Sequence, residues 1–262
     1  MRFLVCFILG ALAVPAVVLA HHAAAVDVNN RYLRLAPMSN GARLAYTVYL
    51  GEIPGAETRV GMDTDGDGTI SDGEADAYGD KLARDVASQL VVELDGEKKE
   101  VTWANVHVGL GTPTTDAGAF TVDLIGWFCH ASAEERHELV LIDGYRLDRP
   151  GETEIQVKPS PDVTVVGAAM GRGGASAELQ LTWSGEASPL SEPGYAVTYS
   201  IEPEKAAAAA TGPCQPVVAS RPAETDNGRK TTMTAVAVAA IAAVILLVGF
   251  LLSRRLRTRT DS

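Results

Sequence analysis

Hydrophobic and polar positions divide the chain into an apolar start, a long middle with apolar residues at short intervals, and an apolar run near the end. In the middle part, Tyr32, Leu33 and Leu35 precede Ser39-Asn40-Gly41, and Leu44, Tyr46, Val48 and Leu50 then fall at every second position. Successive side chains of a strand point to opposite faces, so this alternation predicts a half-buried hairpin over residues 31–50. Glu52-Ile53-Pro54-Gly55 reads as a break, which leaves residues 56–62 room for barely two helical turns. After residue 74 the period changes: Ala75, Tyr78, Leu82, Val86 and Leu90 recur at steps of three or four and stripe one face of a helix.

Leu90, Val91, Val92, Glu93 and Leu94 then run into Asp95-Gly96, a strong hairpin-turn signal, and residues 101–110 are expected to lead back. Further strands are expected at residues 120–128, 138–142, 154–157, 163–166, 178–183 and 195–201, each bounded by Gly, Pro, Asp or Ser. Short β-rich segments at this spacing predict a mainly β fold, an antiparallel β-sandwich over residues 21–203 with a helix-loop-helix inserted at residues 56–90. Five alanines at 206–210, which could extend as a short helix until Gly212-Pro213 stops it, followed by residues rich in Pro, Ser, Thr and charge, predict a flexible stalk over residues 204–231.

The ends of the chain carry a different signal. Arg2, the apolar run at residues 3–19 and the small residue Ala20 have the layout of a signal peptide over residues 1–20. Residues 233–252 are uncharged and almost wholly apolar, long enough for a transmembrane helix over residues 232–252 across a bilayer core of about 30 Å. Arg254, Arg255, Arg257 and Arg259 follow, so the positive-inside rule assigns the basic tail, residues 253–262, to the cytoplasm. The expectation is a single-pass protein of the cell membrane whose N-terminal domain is exoplasmic, periplasmic or extracellular.

Charge narrows the partners. The whole chain carries −11; Arg2 contributes one positive charge and residues 253–262 a net three, which leaves −15 on residues 21–252. A phosphate-binding surface needs a basic patch, so no nucleic acid is expected as a partner. No Gly-x-Ser-x-Gly elbow, Cys-x-x-Cys, His-Glu-x-x-His or phosphate-cradling glycine loop occurs, and no enzyme activity is expected.

The sharpest chemical signal is Asp63-Thr64-Asp65-Gly66-Asp67-Gly68-Thr69-Ile70-Ser71-Asp72-Gly73-Glu74, which fills the constrained positions of an EF-hand calcium loop. Ca²⁺ is a hard cation that takes six to eight oxygens. Asp63, Asp65 and Asp67 stand at loop positions 1, 3 and 5, Thr69 would offer its backbone carbonyl at position 7, Ser71 stands at position 9, and Glu74 closes the shell from position 12. Gly68 supplies the left-handed backbone of the turn. Ile70 is the apolar residue that turns inward. Ca²⁺ is the expected cofactor, in a structural or interaction role, with affinity in the weak range because the loop has no second EF-hand to pair with.

A second set of residues points to softer metals. His21 and His22 would open the processed chain and could chelate Cu²⁺, Ni²⁺ or Co²⁺ through nitrogen, the alternative reading being an accessory protein of metal homeostasis. His107, His130 and His137 lie in separate segments without a spacing that marks one site. Cys129 and Cys214 remain after signal removal, and the expectation is left open between a disulfide and two free thiols.

Residues 31–95, with Gly51-Glu52-Ile53-Pro54-Gly55 ahead of Met62-Asp63-Thr64-Asp65-Gly66-Asp67-Gly68 and the Tyr78-bearing helix leading to Leu94-Asp95-Gly96, resemble an exoplasmic domain found in many bacterial membrane proteins, among them members of the nickel/cobalt transporter family. Ile142-Asp143-Gly144-Tyr145-Arg146-Leu147-Asp148-Arg149-Pro150-Gly151-Glu152-Thr153-Glu154-Ile155 resembles a later segment of that domain. The resemblance implies a membrane-anchored calcium-binding ectodomain, with a membrane transporter as the protein partner it suggests. This chain has one expected span and no His-rich membrane segment, so it does not imply transport by this chain alone.

Overall fold

The computed structural model describes residues 26–211 except 131, 173–175, 177 and 186–189. The expected signal peptide, His21, His22, Cys214 and the span with its tail lie outside these residues. Among the described residues no helix is long and apolar enough to cross a membrane.

The hairpin forms as β1 (Asn29–Met38) and β2 (Gly41–Leu50), antiparallel, with Met38 opposite Gly41. Ala42, Leu44, Tyr46, Val48 and Leu50 are all buried, as the period-two pattern requires. After β2 come helices α1 (Glu52–Met62) and α2 (Asp72–Ala87), then β3 (Leu90–Leu94), β4 (Glu97–Lys99), β5 (Trp103–Gly109), β6 (Phe120–Cys129), β7 (Arg136–Asp143), β8 (Pro150–Val157), β9 (Val163–Met170), β10 (Gln180–Ser184), β11 (Tyr195–Ile201) and α3 (Pro203–Thr211).

The fold is mainly β, in two sheets ordered β10-β8-β1-β2-β6-β5 and β4-β3-β7-β11-β9. The second is antiparallel throughout. In the first, β1 and β8 run parallel, which corrects the expectation of a wholly antiparallel arrangement. These strands are far apart in sequence, so no hairpin turn dictates their direction. Side chains from both sheets, including Leu35, Leu44, Leu124 and Ile155 from one and Leu94, Leu139, Leu141 and Val197 from the other, share one hydrophobic cluster, consistent with a sandwich.

A buried polar group ties the sheets through that core. Arg31 on β1 donates from Nη1 to Asp143 Oδ2 on β7 at 2.6 Å and to the Tyr145 carbonyl at 2.9 Å. The Tyr46 hydroxyl on β2 donates to the same Asp143 oxygen at 3.0 Å, and the Tyr145 amide donates to Asp143 Oδ1 at 2.9 Å. Burial pushes the Asp143 carboxyl up; Arg31 and these donors oppose it.

Four other expectations are corrected. Helix α1 begins at Glu52 rather than after Gly55: Pro54 falls in the first turn, where a helical N–H has no intrahelical acceptor anyway, so the ring costs nothing and presets φ. The entering helix therefore has three turns and is not stunted, and the module spans residues 52–87 rather than 56–90. Leu90 opens β3, as the expected run to Leu94 requires, and does not also close the helix stripe. The Asp95-Gly96 turn forms, both residues with positive φ (52° and 79°), but the strand it returns is the three-residue β4. Residues 103–109 cross to the other sheet as β5 and pair with β6, where Trp103 Nε1 donates to the Ala83 carbonyl of α2 at 2.8 Å. Finally, residues 203–211, where a stalk was expected to begin at 204, form helix α3, and Ala206 is fully buried in the common cluster.

Candidate metal centre

Helices α1 and α2 deliver the loop between them, residues 63–71, to one end of the sheets. Ser71 caps α2 by a reciprocal arrangement: the Glu74 amide donates to Ser71 Oγ, and the Ser71 amide donates to Glu74 Oε2 at 2.9 Å. Glu74 is thereby turned back over the loop. Its other oxygen, Oε1, accepts from the Thr64 amide at 2.5 Å and the Thr64 hydroxyl at 2.7 Å, so one carboxylate bridges loop positions 2 and 9. Hydrogen bonds from the Ser71 amide, from Thr64 and from the Ser71 hydroxyl hold the Glu74 carboxyl down to about 2.

Asp63 organises the other side. Its Oδ1 accepts from the Gly66 and Asp67 amides at 2.8 and 3.1 Å, and its Oδ2 from the Gly68 amide at 2.9 Å. Gly66 and Gly68, with φ of +76° and +84°, permit the coil that points these amides inward. Asp63, Asp65 and Asp67 each bring a carboxylate oxygen within 4.8 Å of the others.

Outside the loop, the segment that follows β5 lies against it. The Ile70 amide donates to the Pro113 carbonyl at 2.7 Å, the Thr115 amide donates to the Gly68 carbonyl at 3.2 Å, and Thr69 and Thr114 form an antiparallel bridge. In such a bridge the central residue's own N–H and C=O face away from the partner strand. The Thr69 amide does so, donating to Asp67 Oδ1 at 2.7 Å, and its carbonyl is carried to the same side, that of the aspartates. Ile70 itself is buried in the common core.

Arg59 of α1 holds that segment in place. Its buried guanidinium donates to the carbonyls of Leu110 (2.6 Å), Gly118 (2.8 Å), Thr112 (2.7 Å), Thr114 (3.1 Å) and Ala119 (3.4 Å). Burial lowers its pKa, with Glu52 opposing. Gly55 of α1 lies against the same segment, where a Cβ would come 2.7 Å from the Gly118 carbonyl oxygen.

The donor set fits a hard cation. Four carboxylates, Asp63, Asp65, Asp67 and Glu74, share one loop, and the ion pairs among the described residues lie elsewhere, so their mutual repulsion is offset only by amide and hydroxyl donors. Of the six predicted ligand residues, Asp63, Asp65 and Asp67 bring their carboxylates together, Thr69 and Ser71 stand in the same loop, and Glu74 is turned to Thr64 and Ser71 and does not join the aspartate group. Arg59 and residues 112–115, which no sequence motif singles out, support the loop.

Of the histidines, His107 stays on β5, opposite Asp123. His130, just beyond β6, and His137 on β7 come together at Asp95, a grouping that their seven-residue separation does not announce. Burial alone would raise the Asp95 carboxyl, but hydrogen bonds with His137, the Glu138 amide and His130 outweigh it and hold it below the usual range. Cys129 takes part in a disulfide. Comparison of the chain with known protein families and with curated proteins finds no match.

Proposed function

We propose that this chain is a calcium-binding, single-pass membrane-anchored exoplasmic protein in which one EF-hand loop, inserted in a β-sandwich, works as a structural clamp. The observation that carries the reading is the closed loop: Glu74 reaches back to Thr64 while Asp63 gathers the amides of residues 66–68. Asp63, Asp65, Asp67, Glu74, the Thr69 carbonyl and Ser71 would hold the ion, and bound Ca²⁺ would supply the positive charge that these carboxylates lack. Membrane anchoring rests on the apolar run at residues 233–252 and the arginines after it.

Pairing favours a clamp over a sensor. A sensor EF-hand opens its helices to expose a groove. Here α1 is fastened through Arg59 to residues 110–119, and α2 is fastened through Trp103 to β5. The pairing of residues 68–70 with residues 113–115 supports an affinity at the tight end of the weak range expected of a lone loop. Calorimetric titration of the full chain should give one site per chain near or below about 10⁻⁴ M, the tight end for extracellular modules. Glu74→Gln should abolish the heat and the calcium-dependent thermal shift; unchanged binding in that variant would refute the reading.

A further inference from the structure

We propose that Asp95, His130 and His137 form a second metal site, selective for a first-row transition dication with zinc foremost, and separate from the calcium loop. The three residues come from three places: the β3–β4 turn, the end of β6 and the start of β7. His130 Nε2 and His137 Nδ1 each lie 2.7 Å from the same oxygen, Asp95 Oδ2. Both nitrogens thus converge on one oxygen, and the two rings stand nearly perpendicular, at 89° with centroids 5.7 Å apart, in an edge contact and not a stack. One atom from each residue lies within 4.8 Å of the others, a spacing that small rotamer adjustments reconcile with bonds of about 2.0–2.2 Å to a shared ion.

The surroundings orient this set. Asp95 sits in the left-handed region with φ of 52°, its amide donates to the Glu138 carbonyl at 2.9 Å, and its free oxygen Oδ1 accepts from the Glu138 amide at 2.7 Å. That leaves Oδ2 as the oxygen presented to the imidazoles. Tyr199 packs on the His137 ring, centroids 5.3 Å apart. If His130 coordinates through Nε2, its proton resides on Nδ1, which faces Glu97 Oε2 at 3.9 Å, beyond hydrogen-bond distance while that oxygen pairs with Lys99. Asp95 and His130 are partly exposed, which gives an ion a way in and leaves room for water ligands.

Two imidazoles and one carboxylate suit zinc, nickel, cobalt or copper, and are a poor set for Ca²⁺, which wants oxygens. Cys129, next in sequence to His130, is tied into a disulfide and adds no thiolate. One feature works against tight binding: coordination through Nδ1 moves the His137 proton to Nε2, which is buried without a partner. The competing account is a hydrogen-bonded His-Asp-His triplet that only fastens the β3–β4 turn to β7.

The test is a Co²⁺ titration of the full chain in excess Ca²⁺, which keeps the Asp63-to-Glu74 loop filled. The expected result is one equivalent of Co²⁺ with visible ligand-field bands of a nitrogen-containing site, displaced by Zn²⁺. His130→Ala and Asp95→Asn should each weaken binding by at least the roughly 10- to 100-fold that even outer-shell changes cost. His21→Ala/His22→Ala should leave the bands intact. Absence of bands, bands undiminished in His130→Ala, or bands lost with the N-terminal pair would each overturn the proposal. Should either site variant fail to fold, imidazole ¹⁵N spectra of the unmodified chain decide: Zn²⁺ must shift His130 Nε2 and His137 Nδ1, and unmoved signals refute the site. The nitrogen-ligand bands, their loss in His130→Ala and the ¹⁵N shifts do not depend on whether the all-oxygen loop binds calcium.

Discussion

The Ile70 amide donates to the Pro113 carbonyl at 2.7 Å, so the inward-turning residue of the acidic loop at residues 63–74 is paired within its own chain. EF-hand loops usually find this pairing in a second loop. Here the partner is an irregular segment, residues 110–119, five of whose carbonyls accept from Arg59. Calcium affinity should therefore depend on residues that never approach the ion.

Arg59 is the first of these. Arg59→Met keeps the aliphatic volume but removes all five hydrogen bonds that Arg59 makes to the carbonyls of residues 110, 112, 114, 118 and 119. Charged hydrogen bonds contribute roughly 1.5–3 kcal/mol each, though not additively, so a loss of about 3 kcal/mol or more is expected by urea denaturation. Calorimetry should show calcium binding weakened about tenfold, or 1.4 kcal/mol, with all six ligand residues present. Arg59→Lys should recover little, because a single ammonium cannot span five acceptors.

Two glycines of α1 give a matched contrast. Gly55→Ala places a methyl 2.7 Å from the Gly118 carbonyl oxygen, a backbone atom that cannot step aside alone, and should cost about 1–3 kcal/mol. At Gly61 an added Cβ would meet no atom within 4 Å, so Gly61→Ala should stabilise by about 0.4–1 kcal/mol through helix propensity and a stiffer unfolded chain. Denaturation midpoints of the two variants should move in opposite directions.

The contact of α2 with β5 rests on Gly79, where a Cβ would come 2.9 Å from Val108 Cγ2 and 3.0 Å from Val106 Cγ1. Gly79→Ala should therefore fail to yield the gain a helix interior normally shows. Adding Val108→Ala should relieve part of the crowding. A double-mutant cycle should return a favourable coupling of about 0.5 kcal/mol or more, and strict additivity would show that the helix can back away freely.

Between the sheets, Asp143→Asn leaves Arg31 buried without its anionic partner and should cost about 3–5 kcal/mol. Tyr46→Phe removes one hydroxyl donor from the same carboxylate and should cost about 1–3 kcal/mol. Chemical denaturation at neutral pH checks both.

Features whose causes lie within a few residues were legible in the sequence. The loop's candidate ligand residues sit inside one twelve-residue stretch, the β2 alternation follows from the pleat, and Asp95-Gly96 adopts the positive φ values its turn demands. Proline and glycine misled at Pro54-Gly55, because their effect depends on the helix position they occupy and that position is set by where Gly51 ends β2. Only the tertiary structure decided the rest. Arg59 meets Leu110, Arg31 meets Asp143 and Asp95 meets His137 across 51, 112 and 42 residues, and a contact of that length imprints no period on the chain. The loop thus carried its candidate ligand residues in its own sequence, while the pairing of Ile70 with Pro113 and the meeting of two distant histidines at Asp95 came from strand order and register, which bring remote backbone into hydrogen-bonding range only once the sheets have formed.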